Sequence, residues 1–373
     1  MSLPTEATQV IFERLPEGDG EIITDTSKPD STFSVKTVKL NENLKNGELL
    51  IKTLLLSNDP TQRTWLRKQG NNARSYIPPV YEGNVMESFG LGEVLKSTSE
   101  KYSKGDIVSG RIDWADFAII PEAKILNKID TKSGLPLSYY LSVLGMTSLT
   151  AFFGLTEAGQ LGKYLKEKPE KGKGPIVCVS AASGAVGSTV VQISKHLLGA
   201  SKVIGLAGSE EKCKWVERLG ADLCVNYKDS DYQDKINNFL GDSYVDVYYD
   251  NVGGQILSFL LTKMKEFGRV AACGAISGYN DPKESYVTTW FDIVAQCITV
   301  EGFLVFKYKE KFPEAIKILS DAIKEKKIDV DDSIHIEKLK GDSPEQKLSE
   351  IPKIWNLLFN GNKPNGKLLI EVA

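Results

Sequence analysis

The feature that most constrains this fold is a short strand, a turn of small residues and a helix that follow one another near the middle of the chain. Ile176–Val179 is an apolar, β-branched run, too short for a helix and typical of a buried parallel strand. The turn Ala181–Gly187 follows it. Apolar residues then recur at helical spacing, at Val186, Val190, Ile193 and Leu197. A second apolar run, Val203–Leu206, closes a strand-turn-helix-strand unit of the length expected for a mononucleotide-binding half.

The small residues of the turn predict a site for the pyrophosphate of a dinucleotide. Unpaired N–H groups and the positive dipole end make a helix N-terminus favourable for an anion. Gly184 permits close approach of the backbone, and Gly187 lets the helix pack closely on the strand. Ala182 stands where the dinucleotide pattern has its first glycine. Glycine also serves any tight strand-to-helix connection, but both strands and the helix in register favour the dinucleotide site.

The end of the second strand predicts which dinucleotide binds. NAD sites usually place an acidic residue there to hold the ribose 2′-hydroxyl. Here the strand ends at Ser209, and the next basic residue is Lys212. A hydroxyl and an ammonium suit a 2′-phosphate, which a carboxylate would repel. Glu210 and Glu211 intervene, and in a first helical turn we expect them to point outward. Taken alone, Lys212 is more typical of a solvated helix lysine, so the missing acid carries the preference for NADP(H) over NAD(H).

Composition limits the remaining function classes. The 373 residues suffice for two domains with cores, and 41% hydrophobic with 25% charged residues is typical of globular proteins. A formal net charge of −3 provides no basic field for nucleic acid or an anionic membrane. No apolar run approaches the length of a membrane span, and no secretory signal is visible. We therefore expect a cytoplasmic protein with neither a nucleic-acid nor a membrane partner.

The metal-ligating residues are too few and too scattered to predict a metal centre. The two histidines, His196 and His335, lie far apart in the sequence. The five cysteines form no C-x-x-C pair: Cys178, Cys213, Cys224, Cys273 and Cys297. Catalytic zinc in dehydrogenases needs a Cys/His set, and structural zinc needs clustered cysteines. We expect no metal, and mostly buried, reduced thiols.

The order of patterns predicts two domains. The first 130 residues contain several short strands with regular turn signals, which argues for a barrel-like β unit. From residue 175 strands alternate with helices, which predicts a six-stranded doubly wound parallel sheet. Its strand runs are Ile176–Val179, Val203–Leu206, Asp222–Val225, Val245–Tyr249, Arg269–Cys273 and Ile298–Phe303. We expect a β domain at 1–138, completed by 310–373, and a dinucleotide-binding domain at 139–309.

Motifs over almost the whole chain resemble the zinc-independent branch of the medium-chain dehydrogenase/reductases. The most similar group contains prostaglandin reductases, leukotriene hydroxydehydrogenases and plant alkenal double-bond reductases. The matching segments are Leu144-Gly145-Met146-Thr147, Thr150-Ala151-Phe152-Phe153-Gly154-Leu155, Ser180–Ser188, Ala207-Gly208-Ser209, Asn226-Tyr227-Lys228, Asp250-Asn251-Val252-Gly253-Gly254, Gly268-Arg269-Val270, Cys273–Asn280 and Gly302-Phe303-Leu304-Val305. The resemblance implies a GroES-like β domain before a Rossmann domain, NADPH as the cofactor, and a homodimer as a possible assembly.

The same resemblance implies a reaction and a set of site residues. The reaction is reduction of the carbon–carbon double bond of α,β-unsaturated aldehydes and ketones. The cofactor-binding positions implied are Gly184, Ala185, Val186, Gly187, Ser209, Lys212, Tyr227, Asn251, Cys273, Gly274, Ala275, Ile276, Ser277, Tyr279, Phe303, Leu304 and Val305. Hydride addition to the β-carbon leaves charge on the carbonyl oxygen, which a hydrogen-bond donor stabilises. Tyr279 is our candidate donor or acid, and the nicotinamide ribose hydroxyl competes for that role.

The chain departs from the family pattern at two places. The family's Asp-Pro-Tyr-Met-Arg segment has Thr61 in place of tyrosine, which leaves the identity of the substrate open. Near the C-terminus, either Asn362 or Asn365 matches an asparagine that faces the cofactor. Two alternatives to an enone reductase remain, a quinone oxidoreductase of the same superfamily and an NADPH-binding sensor or scaffold without efficient catalysis.

Overall fold

A computed structural model describes residues 3–16, 21–71, 73–330 and 332–373. The chain divides into two compact units. The first contains residues 1–141, 335–364 and 368–373, and the second contains 142–334 and 365–367. Residues 310–334, which we predicted to belong to the β domain, lie in the second unit instead. The Phe312 ring stacks on Phe153 with centroids 5.8 Å apart, so aromatic packing ties this stretch to the second unit.

The strands and helices are numbered in chain order. The strands are β1 (Glu6–Phe12), β2 (Phe33–Lys39), β3 (Glu48–Ser57), β4 (Leu66–Arg67), β5 (Val80–Tyr81), β6 (Glu87–Ser97), β7 (Ile107–Asp113), β8 (Phe117–Pro121), β9 (Ile125–Lys128), β10 (Ile176–Val179), β11 (Lys202–Ala207), β12 (Leu223–Asn226), β13 (Val245–Asp250), β14 (Met264–Ala272), β15 (Thr299–Gly302), β16 (Ile334–Lys338) and β17 (Lys367–Glu371). The α-helices are α1 (Met146–Phe153), α2 (Ala185–Gln192), α3 (Glu210–Arg218), α4 (Tyr232–Leu240), α5 (Gly254–Leu261), α6 (Trp290–Ala295), α7 (Phe312–Lys324), α8 (Pro344–Leu348) and α9 (Ile351–Asn356).

The first unit is built on a seven-stranded sheet. Its order is β16-β17-β3-β6-β7-β9, and β8 also pairs with β3. The pairs β1-β2 and β4-β5 form two smaller sheets. Phe33, Trp114 and Trp355 are fully buried and pack with ring centroids about 6 Å apart, which places an aromatic cluster in the core of this unit.

The second unit confirms the predicted doubly wound sheet. Its six parallel strands run in the order β12-β11-β10-β13-β14-β15. That is the strand order of dinucleotide-binding domains, in which ligands bind outside the carboxyl ends of the strands. Every strand of this sheet begins or ends within a few residues of its predicted run. No helix in the described part of the chain is both long and apolar enough to cross a membrane.

Candidate cofactor and active site

The glycine turn between β10 and α2 has the geometry that the sequence predicted. A Cβ atom on Gly187 would lie 2.2 Å from the Ala181 carbonyl oxygen, so only glycine lets the helix sit this close to the turn. A Cβ atom on Gly184 would have only that carbonyl oxygen within 4 Å among the described atoms, so the space in front of Gly184 is open. No described side chain caps the N-terminus of α2. A helix N-terminus without a side-chain cap is favourable for an anion.

The alanine that replaces the first glycine of the pattern is accommodated from the neighbouring strand. Ala182 is fully buried and faces Gly205 of β11. A Cβ atom on Gly205 would lie 2.9 Å from the Ala182 Cβ atom and 3.0 Å from Val216 Cγ1. The methyl group of Ala182 therefore fits into the turn because Gly205 on β11 has no side chain. This pairing could not be predicted from the sequence, because Ala182 lies in the turn after β10 whereas Gly205 lies on β11.

The predicted 2′-phosphate residues come together at the end of β11. The Ser209 hydroxyl accepts a hydrogen bond of 3.3 Å from the Lys212 backbone N–H and caps α3. A Cβ atom on Gly208 would lie 3.3 Å from the Tyr227 hydroxyl, so the tyrosine lies against the same turn. Burial lowers the pKa of Lys212, and the nearby Lys228 ammonium lowers it further. A bound dianion would offset the repulsion between the Lys212 and Lys228 ammonium groups. Lys228 is therefore an additional candidate for the site, which the sequence motifs did not indicate.

A buried carboxylate organises the turn after β13. Asp250 Oδ1 accepts hydrogen bonds from the Tyr248 hydroxyl at 2.8 Å and from the backbone N–H groups of Val252 and Gly253 at 3.0 Å each. Burial raises the pKa of Asp250, and these hydrogen bonds oppose the rise. The next residue, Asn251, donates from its side-chain amide to the Ser180 carbonyl at 2.8 Å. The Asn251 position is therefore fixed to the end of β10.

The segment after β14 runs alongside this turn. Cys273 and Gly274 both donate backbone N–H groups to the Asp250 carbonyl, at 2.9 and 3.1 Å. Ile276 donates to the Asn251 carbonyl, and Ser277 donates to the Val252 carbonyl. Burial raises the pKa of the Cys273 thiol to about 12, so it is a neutral contact group rather than a nucleophile. The structure thus brings Asn251 and the predicted run Cys273–Ser277 together.

The candidate acid lies over this segment. A Cβ atom on Gly274 would lie 3.1 Å from the Tyr279 hydroxyl, so the phenol reaches back across the glycine. Tyr279 follows a short 3₁₀ turn, Ile276–Gly278, and is partly exposed. Absence of a side chain at Gly274 is what allows this approach.

The last predicted run, Phe303–Val305, directly follows β15. The Phe303 ring packs edge-on against Tyr249, with centroids 6.1 Å apart. A Cβ atom on Gly154 would lie 2.6 Å from Phe303 Cζ and 2.4 Å from Tyr249 Cε2, so glycine is required there. Leu304 is partly exposed and Val305 is buried.

The structure distinguishes between the two C-terminal asparagines. Asn362 is exposed. Asn365 belongs to the second unit, and the next residue, Gly366, donates its N–H to the Ser183 carbonyl at 2.9 Å. The Asn365 Oδ1 atom is buried and has no hydrogen-bond partner among the described residues. Buried acceptors are normally hydrogen-bonded. Because this one lies beside the glycine turn, a donor group of a bound cofactor would satisfy it.

In the first unit, an aromatic side chain stands beside Thr61. The Thr61 and Tyr76 hydroxyls are hydrogen-bonded to each other. The Trp65 indole N–H donates to the Tyr76 hydroxyl at 3.4 Å. Tyr76, 15 residues further along the chain, thus lies beside the position at which the family's Asp-Pro-Tyr segment has its tyrosine. Tyr76 lies outside the motifs that carry the family resemblance, so this contact could not be predicted from them.

Comparison with known proteins agrees with both units. Residues 185–321 match the family described as zinc-binding dehydrogenase, and residues 23–129 match the N-terminal domain of oxidoreductase. The chain is 37% identical, over 80% of its length and 83% of the relative's, to 2-alkenal reductase (NADP(+)-dependent) of Nicotiana tabacum. This chain belongs to the zinc-independent medium-chain dehydrogenase/reductases. Within that superfamily it falls in the group of prostaglandin and alkenal reductases, as the motifs predicted.

Two further comparisons extend over nearly all of this dehydrogenase/reductase. It is 36% identical, over 98% of both chains, to a Saccharomyces cerevisiae protein named uncharacterized membrane protein YML131W. It also superposes on CurA of Vibrio vulnificus in complex with NADPH with a TM-score of 0.77 and 26% identity, covering 98% of each chain. The fold is a GroES-like β domain with a Rossmann domain. The protein is an NADPH-dependent reductase.

The metal-ligating residues remain dispersed in the structure. No group of three or more His, Cys, Asp or Glu residues that could hold a metal ion occurs among the described residues. His196 Nε2 lies 3.0 Å from the Leu219 carbonyl oxygen, a structural contact. Cys178, Cys213 and Cys224 are buried, Cys273 is partly exposed and Cys297 is exposed, and none is in a disulfide. Metal independence stays a prediction.

The residues present fit NADPH. The space in front of Gly184 is open, and Lys212 lies near Lys228 after the end of β11. The buried Asn365 Oδ1 atom has no hydrogen-bond donor among the described residues. All of these features lie in the second unit. The strands before Gly184 and Lys212, β10 and β11, are parallel, so their carboxyl ends meet at one edge of the sheet. Asn365 adjoins the same edge through the hydrogen bond from Gly366 to the Ser183 carbonyl.

Proposed function

We propose that this protein reduces the carbon–carbon double bond of α,β-unsaturated aldehydes and ketones with NADPH. The observation that carries the proposal is the Tyr279 hydroxyl, which lies over Gly274 in the segment hydrogen-bonded to Asn251. A phenolic hydroxyl is a hydrogen-bond donor, so it can donate to an oxygen that gains charge. The relationship to a protein named 2-alkenal reductase supports the same substrate class.

The site residues divide into three roles in this proposal. Bound NADPH supplies the hydride that adds to the β-carbon. Gly184 to Gly187 hold the pyrophosphate with backbone N–H groups of α2. Ser209, Lys212 and Tyr227 hold the 2′-phosphate end, and Lys228 adds a second positive charge. Asn251, the run Cys273–Ser277, Phe303–Val305 and Asn365 line the remainder of the cofactor.

The chain itself handles the charge that the reaction creates. Addition to the β-carbon leaves negative charge on the carbonyl oxygen of the substrate, and donors aimed at that oxygen lower the barrier. Tyr279 donates a hydrogen bond to the oxygen and then its proton, which gives the enol. The enol tautomerises to the saturated carbonyl compound as its α-carbon gains a proton, and water returns a proton to the Tyr279 phenolate. The Asp250 carboxylate fixes the turn after β13 by accepting from Val252 and Gly253. Its backbone carbonyl accepts from Gly274, and so Asp250 positions the segment that carries Tyr279.

Deuterium transfer tests this proposal directly. Purified protein is incubated with NADPH deuterated at the transferable C4 position and, in separate reactions, a 2-alkenal, a cyclic enone and a quinone. Deuterium at the β-carbon of a saturated aldehyde or ketone, with the carbonyl intact, is the expected product. Turnover of quinones without alkenals or enones would identify a quinone reductase. Tight NADPH binding without turnover of any of the three classes would identify a sensor or scaffold.

A further inference from the structure

The first unit contains a largely buried arginine that contacts two neighbours of Tyr76. Arg111 lies on β7, and its side chain is only 11% exposed. Its guanidinium carbon lies 5.0 Å from the centroid of the Trp65 ring. Its Nη1 atom donates a hydrogen bond to the Pro78 carbonyl at 2.8 Å. One planar group thus fixes both the tryptophan ring and the backbone that follows Tyr76.

The two groups that Arg111 contacts both hold Tyr76. Trp65 is fully buried and donates its indole N–H to the Tyr76 hydroxyl at 3.4 Å. Pro78 follows Tyr76 by two residues, so the hydrogen bond to its carbonyl holds the backbone of the same segment. The Tyr76 side chain itself is 46% exposed, and its hydroxyl is hydrogen-bonded to that of Thr61. The direction of this exposed ring therefore depends on what holds its hydroxyl and its backbone.

A cluster of charged side chains holds the Arg111 guanidinium in place. Glu87 Oε2 lies 2.5 Å from Arg111 Nη2, and Glu87 Oε1 lies 2.6 Å from Lys124 Nζ. Lys124 Nζ also lies 3.5 Å from Asp113 Oδ1, and Asp113 stands directly opposite Glu87 on the neighbouring strand. Desolvation offsets much of the attraction within a buried ion pair, so such a pair is weak evidence for stability. The cluster therefore contributes mainly a fixed geometry.

We propose that Arg111 is a positioning residue that sets substrate preference, by holding the Tyr76 ring as a wall of the substrate site. This inference rests on the proposed function. Thr61 stands where the family has a tyrosine, and Tyr76 is the aromatic residue whose hydroxyl bonds to it. An aromatic wall binds substrates that carry a group large enough to reach it and has little effect on small ones. Arg111 acts through Tyr76 and takes no part in hydride or proton transfer.

Arg111→Lys separates the position of the guanidinium from its charge. A lysine ammonium can keep the ion pair with Glu87, but it cannot also stack on Trp65 and donate to Pro78 as a planar guanidinium does. The KM for a phenyl-substituted enone should rise roughly 3–10-fold, because an aromatic contact is lost. The KM for a linear 2-alkenal, kcat for both substrates and the dissociation constant of NADPH should stay at their wild-type values.

Tyr76→Ala tests whether the effect passes through the ring, and because the ring is exposed this variant keeps the buried cluster intact. It should raise the same KM and leave that of the 2-alkenal unchanged. In the Tyr76→Ala background, Arg111→Lys should then have no further effect on the ratio of the two KM values, because residues that act through one contact are not additive.

Arg269→Lys is the matched control. Arg269 lies in the second unit, its side chain is 17% exposed, it pairs with Glu301, and it donates to the Ala158 carbonyl at 2.7 Å. The control therefore loses contacts of the same kind and should leave the KM ratio unchanged. Hydrogen exchange read by mass spectrometry adds a measurement that needs no turnover. Backbone amides of residues 74–81 should exchange faster in Arg111→Lys than in wild type, and at the wild-type rate in Arg269→Lys.

Several results would overturn the proposal. An unchanged KM ratio in Arg111→Lys or in Tyr76→Ala would mean that the ring is no wall of the site. A shifted ratio without faster exchange, or additive effects in the double variant, would mean that Arg111 acts through another segment. A wild type that reduces only quinones would refute the proposed function alone, and the KM ratio of a naphthoquinone to a benzoquinone then decides this inference. A wild type without any turnover would overturn both.

Discussion

Lys212→Ala should separate NADPH from NADH. The ammonium sits half-buried at the start of α3, where burial and the Lys228 charge lower its pKa. A 2′-phosphate at this place accepts a charge-assisted hydrogen bond, which contributes on the order of 1.5–3 kcal/mol. Because the lysine keeps part of its solvent contact, we expect the lower half of that range. The dissociation constant for NADPH should then rise by roughly 10–40-fold, while that for NADH stays unchanged.

The same helix offers a matched control. Lys214 lies on α3, its side chain is 67% exposed, and its nearest carboxylate is Glu210 Oε1 at 3.7 Å. Lys214→Ala removes the same charge from the same helix and should leave both affinities as they are. Quenching of protein fluorescence during titration with each cofactor measures the dissociation constants of NADPH and NADH for wild type and for both variants. Titration with 2′,5′-ADP and 5′-AMP repeats the comparison on fragments that differ only at the 2′-phosphate.

Two outcomes would refute the reasoning. An equal loss of NADPH and NADH affinity in Lys212→Ala would mean that the lysine supports the site in a way unrelated to the phosphate. An equal loss in Lys212→Ala and Lys214→Ala would mean that only the net charge of the helix counts.

The remaining predictions concern catalysis, packing, pH dependence and metals. Tyr279→Phe should lower kcat by roughly 10–100-fold with NADPH affinity intact, and a kcat within about twofold of wild type would make Tyr279 a wall of the site. Gly205→Ala should destabilise the protein by about 1–3 kcal/mol, read from urea unfolding, and Ala182→Gly in the same chain should restore part of the loss; no recovery would mean that the two positions are not coupled. Burial raises the pKa of Asp113 to about 6, against an unfolded value near 4. The folded state therefore holds a proton that the unfolded state releases, and stability falls as pH rises through this window. Asp113→Asn should remove that part of the fall in melting temperature, and an identical pH profile in both proteins would contradict the assignment. Activity should survive prolonged chelation, and elemental analysis should find no stoichiometric zinc.

Much of the fold could be predicted because its signals are local. Ile176–Val179 and Val203–Leu206 became strands at nearly their predicted bounds, since short apolar β-branched runs between turns have few other uses. The order of strands and helices then fixed the doubly wound sheet, because consecutive parallel strands need right-handed helical connections. The carboxyl-end positions of Gly184 and Asn251 follow from that order alone.

The tertiary structure decided what depends on residues far apart in the chain. Asn365, rather than Asn362, adjoins the glycine turn because Gly366 bonds to the Ser183 carbonyl, a contact between residues 183 positions apart. The fit of Ala182 depends in the same way on Gly205 of the next strand. The exposure of Trp290, Phe291 and Val294 on α6 could not be predicted either, because in sequence these apolar side chains resemble those of a buried helix. Only the position of β15 at the end of the sheet leaves them exposed. Local patterns fix which elements form, whereas the contacts that a side chain makes depend on which elements the sheet brings next to it.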